Sequence, residues 1–126
     1  MDNKIKQLRK GILELAILGS LHNSSHYGYS LIKSISSGID IDIAEGTIYP
    51  ILSRLDKEGL IKSDWVESKQ GPPRKYYTLT LKGKTVFEAL KVEFEKLVKM
   101  VANAGRMEID VDQDVKKTKI SVRKEG

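Results

Sequence analysis

Small, polar and basic side chains are grouped between residues 46 and 57, among apolar residues that keep a helical spacing. Ile48, Ile51, Leu52 and Leu55 stand at i, i+3, i+4 and i+7, which predicts a helix over about residues 44–58 with one narrow apolar stripe. The residues that point away from this stripe, or flank that outward face, are Gly46, Thr47, Tyr49, Pro50, Ser53, Arg54 and Lys57. A helix that enters a DNA major groove needs such a small and partly basic face, so the chemistry predicted here is base reading.

A second basic group surrounds a turn-rich loop. Residues 60–67 and 75–81 alternate in the manner of strands, and residues 68–74 between them are rich in Gly and Pro. The pattern predicts a β-hairpin that presents Lys69, Gln70, Arg74 and Lys75 to phosphates or to a minor groove. We expect Trp65, Tyr76 and Tyr77 to cover the inner face of the hairpin.

The remaining elements must position these two groups. Helical spacing of apolar residues also predicts helices over about residues 5–21, 26–37 and 82–104, with a short extended segment over residues 39–43. The order helix–helix–helix–hairpin–helix predicts a mostly α-helical fold with a small β-hairpin, a winged helix-turn-helix followed by a long C-terminal helix. The predicted parts are a DNA-binding domain (1–81), a dimerisation helix (82–104) and a charged tail or hairpin (105–126).

The C-terminal helix carries a seam of apolar residues that repeats at three and four positions. Its members are Phe87, Leu90, Phe94, Leu97 and Val101. This spacing is typical of a coiled coil, so we predict that the seam pairs with another chain; packing on its own domain is the alternative. For residues 105–126 the sequence leaves two alternatives open, an acidic strand paired with a basic strand or a disordered tail.

The composition excludes several classes of protein. The chain has 126 residues, a net charge of +5 and a pI of about 9.3, which is one basic domain. It has no cysteine, which excludes a disulfide scaffold, a Cys-ligated zinc site and a Cys nucleophile. There is no Gly-rich phosphate loop and no motif that places a nucleophile beside a base, so we predict no enzyme, no catalytic residue and no cofactor.

Two patterns resemble metal sites without completing one. His22 and His26 are four residues apart but have no third ligand nearby. The run Asp110, Asp112 and Asp114 opens like a calcium loop, but the later loop positions do not have the required Gly and Glu. We therefore predict no metal. No apolar run approaches about 20 residues and the N-terminus is polar, so we expect no membrane segment and a cytoplasmic protein.

Two long motifs resemble PadR-type transcriptional regulators. Residues 46–61, beginning Gly-Thr-Ile-Tyr-Pro-Ile-Leu-Ser-Arg-Leu, look like the family's recognition helix. Residues 71–80, Gly-Pro-Pro-Arg-Lys-Tyr-Tyr-Thr-Leu-Thr, with Gly83 after them, resemble its wing, and Tyr27-Gly28-Tyr29 resembles the start of its second helix. The resemblance covers about residues 8–102. The chain departs from it at Ala44, where a capping side chain is commoner, and in having no tryptophan in the C-terminal helix.

The resemblance implies a homodimeric bacterial regulator, usually a repressor. A dimer with two recognition helices demands a palindromic operator in double-stranded DNA. It implies that the C-terminal helix, with help from the first, makes the dimer. Some relatives bind phenolic acids or flat hydrophobic drugs near the dimer interface, which suggests a small hydrophobic or aromatic ligand here, with Trp65 or Phe94 lining its site. The alternative function is a winged-helix adaptor for RNA or for another protein, because fold does not determine function.

Overall fold

A computed structural model of the chain describes residues 1–111 and 118–122. The elements in chain order are α1 (Asp2–Asn23), β1 (His26–Tyr27), α2 (Gly28–Ser36), α3 (Glu45–Lys57), β2 (Ile61–Val66), β3 (Arg74–Leu79), α4 (Leu81–Gly105), β4 (Met107–Val111) and β5 (Thr118–Val122). The fold is mostly helical and has the winged-helix order, which confirms the predicted fold class. The chain divides into two compact units, Met1–Ala89 and Leu90–Gly126, with the division inside α4.

The sheet of the first unit has three antiparallel strands in the order β1-β3-β2. The short strand β1 corrects the prediction of a helix from residue 26, because His26 and Tyr27 pair with Tyr77 and Tyr76 of β3. No strand forms over residues 39–43, where the alternating residues have no neighbouring strand to pair with and the Ile39 N–H donates to the Ser36 carbonyl. A partner strand, rather than alternation alone, decides which of the two segments becomes β structure.

The core lies where α1, α2 and α3 meet the sheet. Its buried members are Ile17, Leu18, Leu21, Leu31, Ile48, Ile51, Leu52, Leu55, Leu60, Ile61 and Tyr77. The four predicted stripe residues of α3 are all among them, so this helix is held by a single face. Its end is set by Gly59, whose φ of +75° is a conformation that glycine adopts without steric cost.

Thr80 joins the end of α3 to the beginning of α4. Its hydroxyl accepts a hydrogen bond from the Gly83 N–H at 3.0 Å, which caps the first turn of α4, and donates to the Gly59 carbonyl at 2.7 Å. Its backbone N–H donates to the Leu60 carbonyl at 3.1 Å. The Lys82 ammonium adds a bond to the Glu58 carbonyl at 2.9 Å. The carbonyls that follow α3 are thereby satisfied by the residues that start α4.

In the second unit, β4 and β5 pair as an antiparallel hairpin. The register places Asp110 opposite Lys119 and Ile109 opposite Ile120, so positions of opposite charge and positions of apolar character are matched across the pair. Of the two alternatives that the sequence leaves open, the structure contains the hairpin. Residues 112–117, between the two strands, lie outside the described residues.

We expect Thr80→Val to lower the free energy of unfolding by about 1–2 kcal/mol, because it removes both the cap of α4 and the bond to the Gly59 carbonyl. Thr80→Ser keeps the hydroxyl and should cost less than half as much. Urea unfolding at one fixed protein concentration measures both. A Thr80→Val protein as stable as the wild type, or one more stable than Thr80→Ser, would show that the hydroxyl does not stabilise this junction.

Candidate nucleic-acid interface

The outward face of α3 is open to solvent. Burial of Ile48, Leu52 and Leu55 at 1% exposure or less turns the opposite side of the helix away from the core. The residues left exposed there are Gly46, Thr47, Tyr49, Pro50, Ser53, Arg54 and Lys57. Pro50 is the sixth residue of the helix and has no N–H, so the Gly46 carbonyl has no helical donor and stays available on this face. No side chain caps the N-terminus at Ala44, which leaves the first N–H groups of α3 without a side-chain partner.

Arg54 lies on the flank of this face that borders α1. Its Nη2 is 3.1 Å from the Glu14 Oε2 of α1, and its Nε is 3.9 Å from the Glu58 Oε1 one turn further along α3. About half of the Arg54 side chain is exposed, so this is a surface pair of small net stability. In the unbound protein Arg54 therefore has an acidic partner, and a base would have to compete with Glu14 for it.

The β2–β3 hairpin forms the predicted wing, and its register explains the placement of the aromatic residues. Trp65 lies opposite Lys75, and Ser63 lies opposite Tyr77, so these residues share the face of the sheet that carries buried Ile61. Trp65 is nevertheless 69% exposed, because it stands beyond the part of the hairpin that the core covers. Tyr76 pairs with Asp64 and belongs to the other face. The expectation that all three aromatic residues cover the inner face is wrong for Tyr76, which lies on the other face, whereas Trp65 lies on the expected face but beyond the core.

The two cations at the start of β3, Arg74 and Lys75, both lie against aromatic rings. The Lys75 Nζ is 5.9 Å from the ring centres of both Trp65 and Tyr77, and the Arg74 Cζ is 4.6 Å above the Tyr27 ring. Cation–π contact of this kind holds the charge near the surface without neutralising it. Lys69 and Gln70 are exposed in the loop at the wing tip, where the Gln70 N–H donates to the Ser68 hydroxyl.

A cleft of about 580 Å³, which we call the aromatic cleft, joins α2, α3 and the wing. Its lining residues are Tyr27, Gly28, Tyr29, Tyr49, Trp65, Arg74, Lys75 and Tyr77. Gly28 permits the approach of α2 to α3, since a Cβ there would lie 2.9 Å from two ring carbons of Tyr49. Burial, with smaller contributions from Tyr49 and the Asp56 carboxylate, raises the pKa of Tyr77 above its ordinary value of 10.0.

The aromatic cleft brings together only some of the residues that the sequence singled out. Tyr49, Arg74 and Lys75 meet around it, and Trp65, proposed from the sequence as a ligand-lining residue, is one of its walls. Arg54 lies on the other flank of α3, against α1. The run Tyr27-Gly28-Tyr29 resembles the start of a helix, but its sequence alone did not indicate a place in a site; its signal is two aromatic residues around a glycine where α2 begins.

The predicted dimer seam of α4 is exposed along most of its length. Leu90, Phe94, Leu97 and Val101 are 37–55% exposed. Phe87 differs from them, because its ring packs inside its own chain, 3.1 Å from the Cβ position of Gly19 and beside the His22 ring. In the first unit, the start of α1 also exposes apolar side chains at Ile5, Leu8 and Ile12.

The described part of the chain lacks a cluster of metal-binding side chains and a helix that could span a membrane. Among these residues, no group of three or more His, Asp or Glu side chains could hold a metal ion. Within the same residues, the helices are too short or too polar to cross a bilayer.

Comparison with known proteins gives a family match over most of the first unit. The model of the "Transcriptional regulator PadR-like family" matches residues 17–89, which is more than half of the chain. An uncharacterised protein of Lysinibacillus sphaericus is 29% identical over 94 residues, covering 73% of this chain and 86% of that protein.

Solved structures agree with the family match. A PadR-like transcription factor from Bacteroides fragilis is 39% identical with a TM-score of 0.68, covering 81% of this chain and 98% of that one. A PadR-like transcriptional regulator from Bacillus cereus is 37% identical with a TM-score of 0.69, covering 78% and 95%. A PadR family regulator from Eggerthella lenta is 33% identical with a TM-score of 0.70, covering 82% and 89%.

The raised pKa of Tyr77 predicts a loss of stability in strong alkali. The folded state favours the neutral phenol, so its contribution is complete below pH 10.0 and is lost as the pH rises through the higher folded pKa. Tyr77→Phe cannot ionise here and should lose less stability than the wild type between neutral and strongly alkaline pH. Urea unfolding of both proteins across that range measures the difference, and parallel curves would contradict the prediction.

Proposed function

This chain belongs to the PadR-like transcriptional regulator family, and we propose on that premise that it is a homodimeric repressor of a palindromic operator. Members of the family are DNA-binding transcriptional regulators and not enzymes. The single observation that carries the proposal is that Tyr49, on the exposed flank of α3, and the wing cations Arg74 and Lys75 border one cleft. One surface can then engage a major groove and the adjacent backbone.

The proposed DNA contacts fall into two groups with different tasks. On α3, Gly46, Thr47, Tyr49, Pro50, Ser53, Arg54 and Lys57 face the major groove. Gly46 and Ser53 are small enough to let the helix approach the base edges, and Arg54 is the candidate base reader. On the wing, Lys69, Gln70, Arg74 and Lys75 contact phosphates or the minor groove and position the domain.

The proposed dimer contact is the α4 seam, formed by Phe87, Leu90, Phe94, Leu97 and Val101. Four of these side chains are exposed at a coiled-coil spacing, and covering them removes apolar surface from water. Phe87 packs against α1 of its own chain, so we place it at the margin of the contact. A two-fold dimer carries two copies of α3 and so demands two half-sites separated by about 10 bp or a multiple of that.

We further propose that a small hydrophobic or aromatic ligand releases the repressor. Either exposed Trp65 or exposed Phe94 is the side chain that we propose lines its site. A cytoplasmic location follows from the proposed role, because a bacterial repressor has to reach the chromosome.

Affinity selection of sheared genomic DNA on the purified protein, at near-physiological salt, tests the function. We expect one palindromic motif to be enriched and to lie over a promoter. Recovery of DNA without any motif would mean that the basic surface binds phosphates without reading bases. That outcome would contradict the repressor proposal and favour the RNA or protein adaptor.

Arg54→Ala should weaken binding to the selected operator by about 1–3 kcal/mol and relax specificity at one base pair of each half-site, because a bidentate Arg–guanine contact is lost. Fluorescence anisotropy with the operator and single-base variants measures this. Glu14→Gln is the matched control: it removes the competing carboxylate and leaves the guanidinium, so specificity should persist. An equal loss of affinity for every DNA sequence would show that Arg54 contacts a phosphate and does not read a base.

Phe94→Asp should convert the dimer into a monomer, because it places an unpaired charge in an apolar contact. Val92→Asp makes the same change at an exposed apolar residue of α4 outside the seam and should leave the mass unchanged. Light scattering coupled to gel filtration gives the mass of each. A Phe94→Asp protein that keeps the wild-type mass would remove the seam from the interface.

A further inference from the structure

The aromatic cleft leaves an unusual amount of ring surface in contact with water. Tyr29, Tyr49 and Trp65 are 52%, 44% and 69% exposed, although the core of the domain is complete without them. Exposed aromatic surface that surrounds a cavity, rather than being scattered singly, marks a binding site. The rings come from α2, α3 and the wing, so three separate elements converge on one space.

The charged side chains that line the aromatic cleft, Arg74 and Lys75, are both cationic. Arg74 and Lys75 are adjacent on β3, and within the described residues neither forms an ion pair and no Asp or Glu lines the cleft. Their partners are the faces of Tyr27, Trp65 and Tyr77. As neighbours on a strand, Arg74 and Lys75 leave β3 toward opposite faces, and Lys75 is the one on the face of Trp65 and Tyr77. An ammonium without a carboxylate partner beside aromatic rings suits a phosphate.

The size and the chemistry of the cleft together specify a class of ligand. A volume of about 580 Å³ lies within the range of small-molecule sites. Aromatic platforms beside cations are the arrangement by which proteins hold a nucleobase and its phosphate, since every base has a π-face. The Tyr77 hydroxyl keeps its proton at neutral pH and can donate to a ligand oxygen or ring nitrogen.

We propose that the aromatic cleft is a binding site for a free purine nucleoside monophosphate, with the base against Trp65 and the tyrosines and the phosphate on Lys75. Because Lys75 is also assigned to the operator, nucleotide and operator exclude one another. This competition, though not the site itself, rests on the proposed function.

The single tryptophan of the chain makes the site directly observable. In a 15N-labelled sample of the full chain the Trp65 indole N–H gives one cross-peak, which we expect to shift saturably with AMP at about millimolar Kd or below. Adenosine and inorganic phosphate, each carrying half of the ligand, should bind about tenfold more weakly or not at all. A cross-peak that does not move with AMP, or that moves equally with adenosine, would overturn the proposal.

Lys75→Met and Lys84→Met form the matched pair. Lys75→Met removes the phosphate partner and should weaken AMP about tenfold, whereas Lys84 lies outside the cleft and its loss should leave the affinity unchanged. The remaining cross-peaks of each variant must coincide with the wild type, which establishes that it is folded. Equal AMP affinities in the two variants would count against the site.

Two further titrations ask different questions. The first distinguishes a free nucleotide from a nucleotide of a DNA strand, and the second tests whether the site affects operator binding. If a short single-stranded oligonucleotide shifts the indole peak while AMP does not, the nucleotide belongs to a DNA strand and the free-ligand proposal is overturned. Addition of AMP, but not adenosine, should raise the apparent Kd of the operator in anisotropy. A protein that binds AMP but no operator would refute the proposed function and leave the nucleotide site supported.

Discussion

The burial of one narrow stripe on α3 is the constraint on which the rest of the molecule depends. Ile48, Ile51, Leu52 and Leu55 occupy a single side of the helix and are packed between α1, α2 and the sheet. A helix held in this way must present its opposite side to solvent, whatever residues stand there. Pro50 is tolerated for the same reason, because the carbonyl it leaves without a donor belongs to exposed Gly46, which water can reach.

The junction at Thr80 connects this constraint to the other end of the chain. One side chain caps α4 and binds the carbonyl that follows α3, so the end of α3 and the start of α4 share an anchor. In the proposed dimer, the spacing of two recognition helices must be set by an element that joins each of them to the dimer contact. Thr80 and the neighbouring bond from Lys82 supply short, directional links of that kind.

The wing shows how a basic surface can be kept both ordered and available. Carboxylate partners would hold Arg74 and Lys75 in place but cancel their charge, whereas ring faces hold them and leave the charge exposed. Arg54 follows the opposite arrangement, with Glu14 as an acidic partner at 3.1 Å. The pair with Glu14 orders the Arg54 side chain and offsets part of its charge, whereas the ring contacts order Arg74 and Lys75 and leave their charge in place.

Local pattern was enough to predict four helices, the wing and the outward face of α3, though not where α2 begins, because these features depend on the spacing of apolar residues and on glycine at a helix end. The stripe residues and Gly59 behave as their local pattern requires. Tertiary structure alone decided that His26 and Tyr27 form a strand, since strand formation depends on a partner that lies fifty residues away. It also decided that Trp65 is exposed, that Arg54 meets Glu14 and that four tyrosines surround one cleft. Those facts depend on the distances between residues of different elements. The spacing of apolar residues along one element contains no information about such distances.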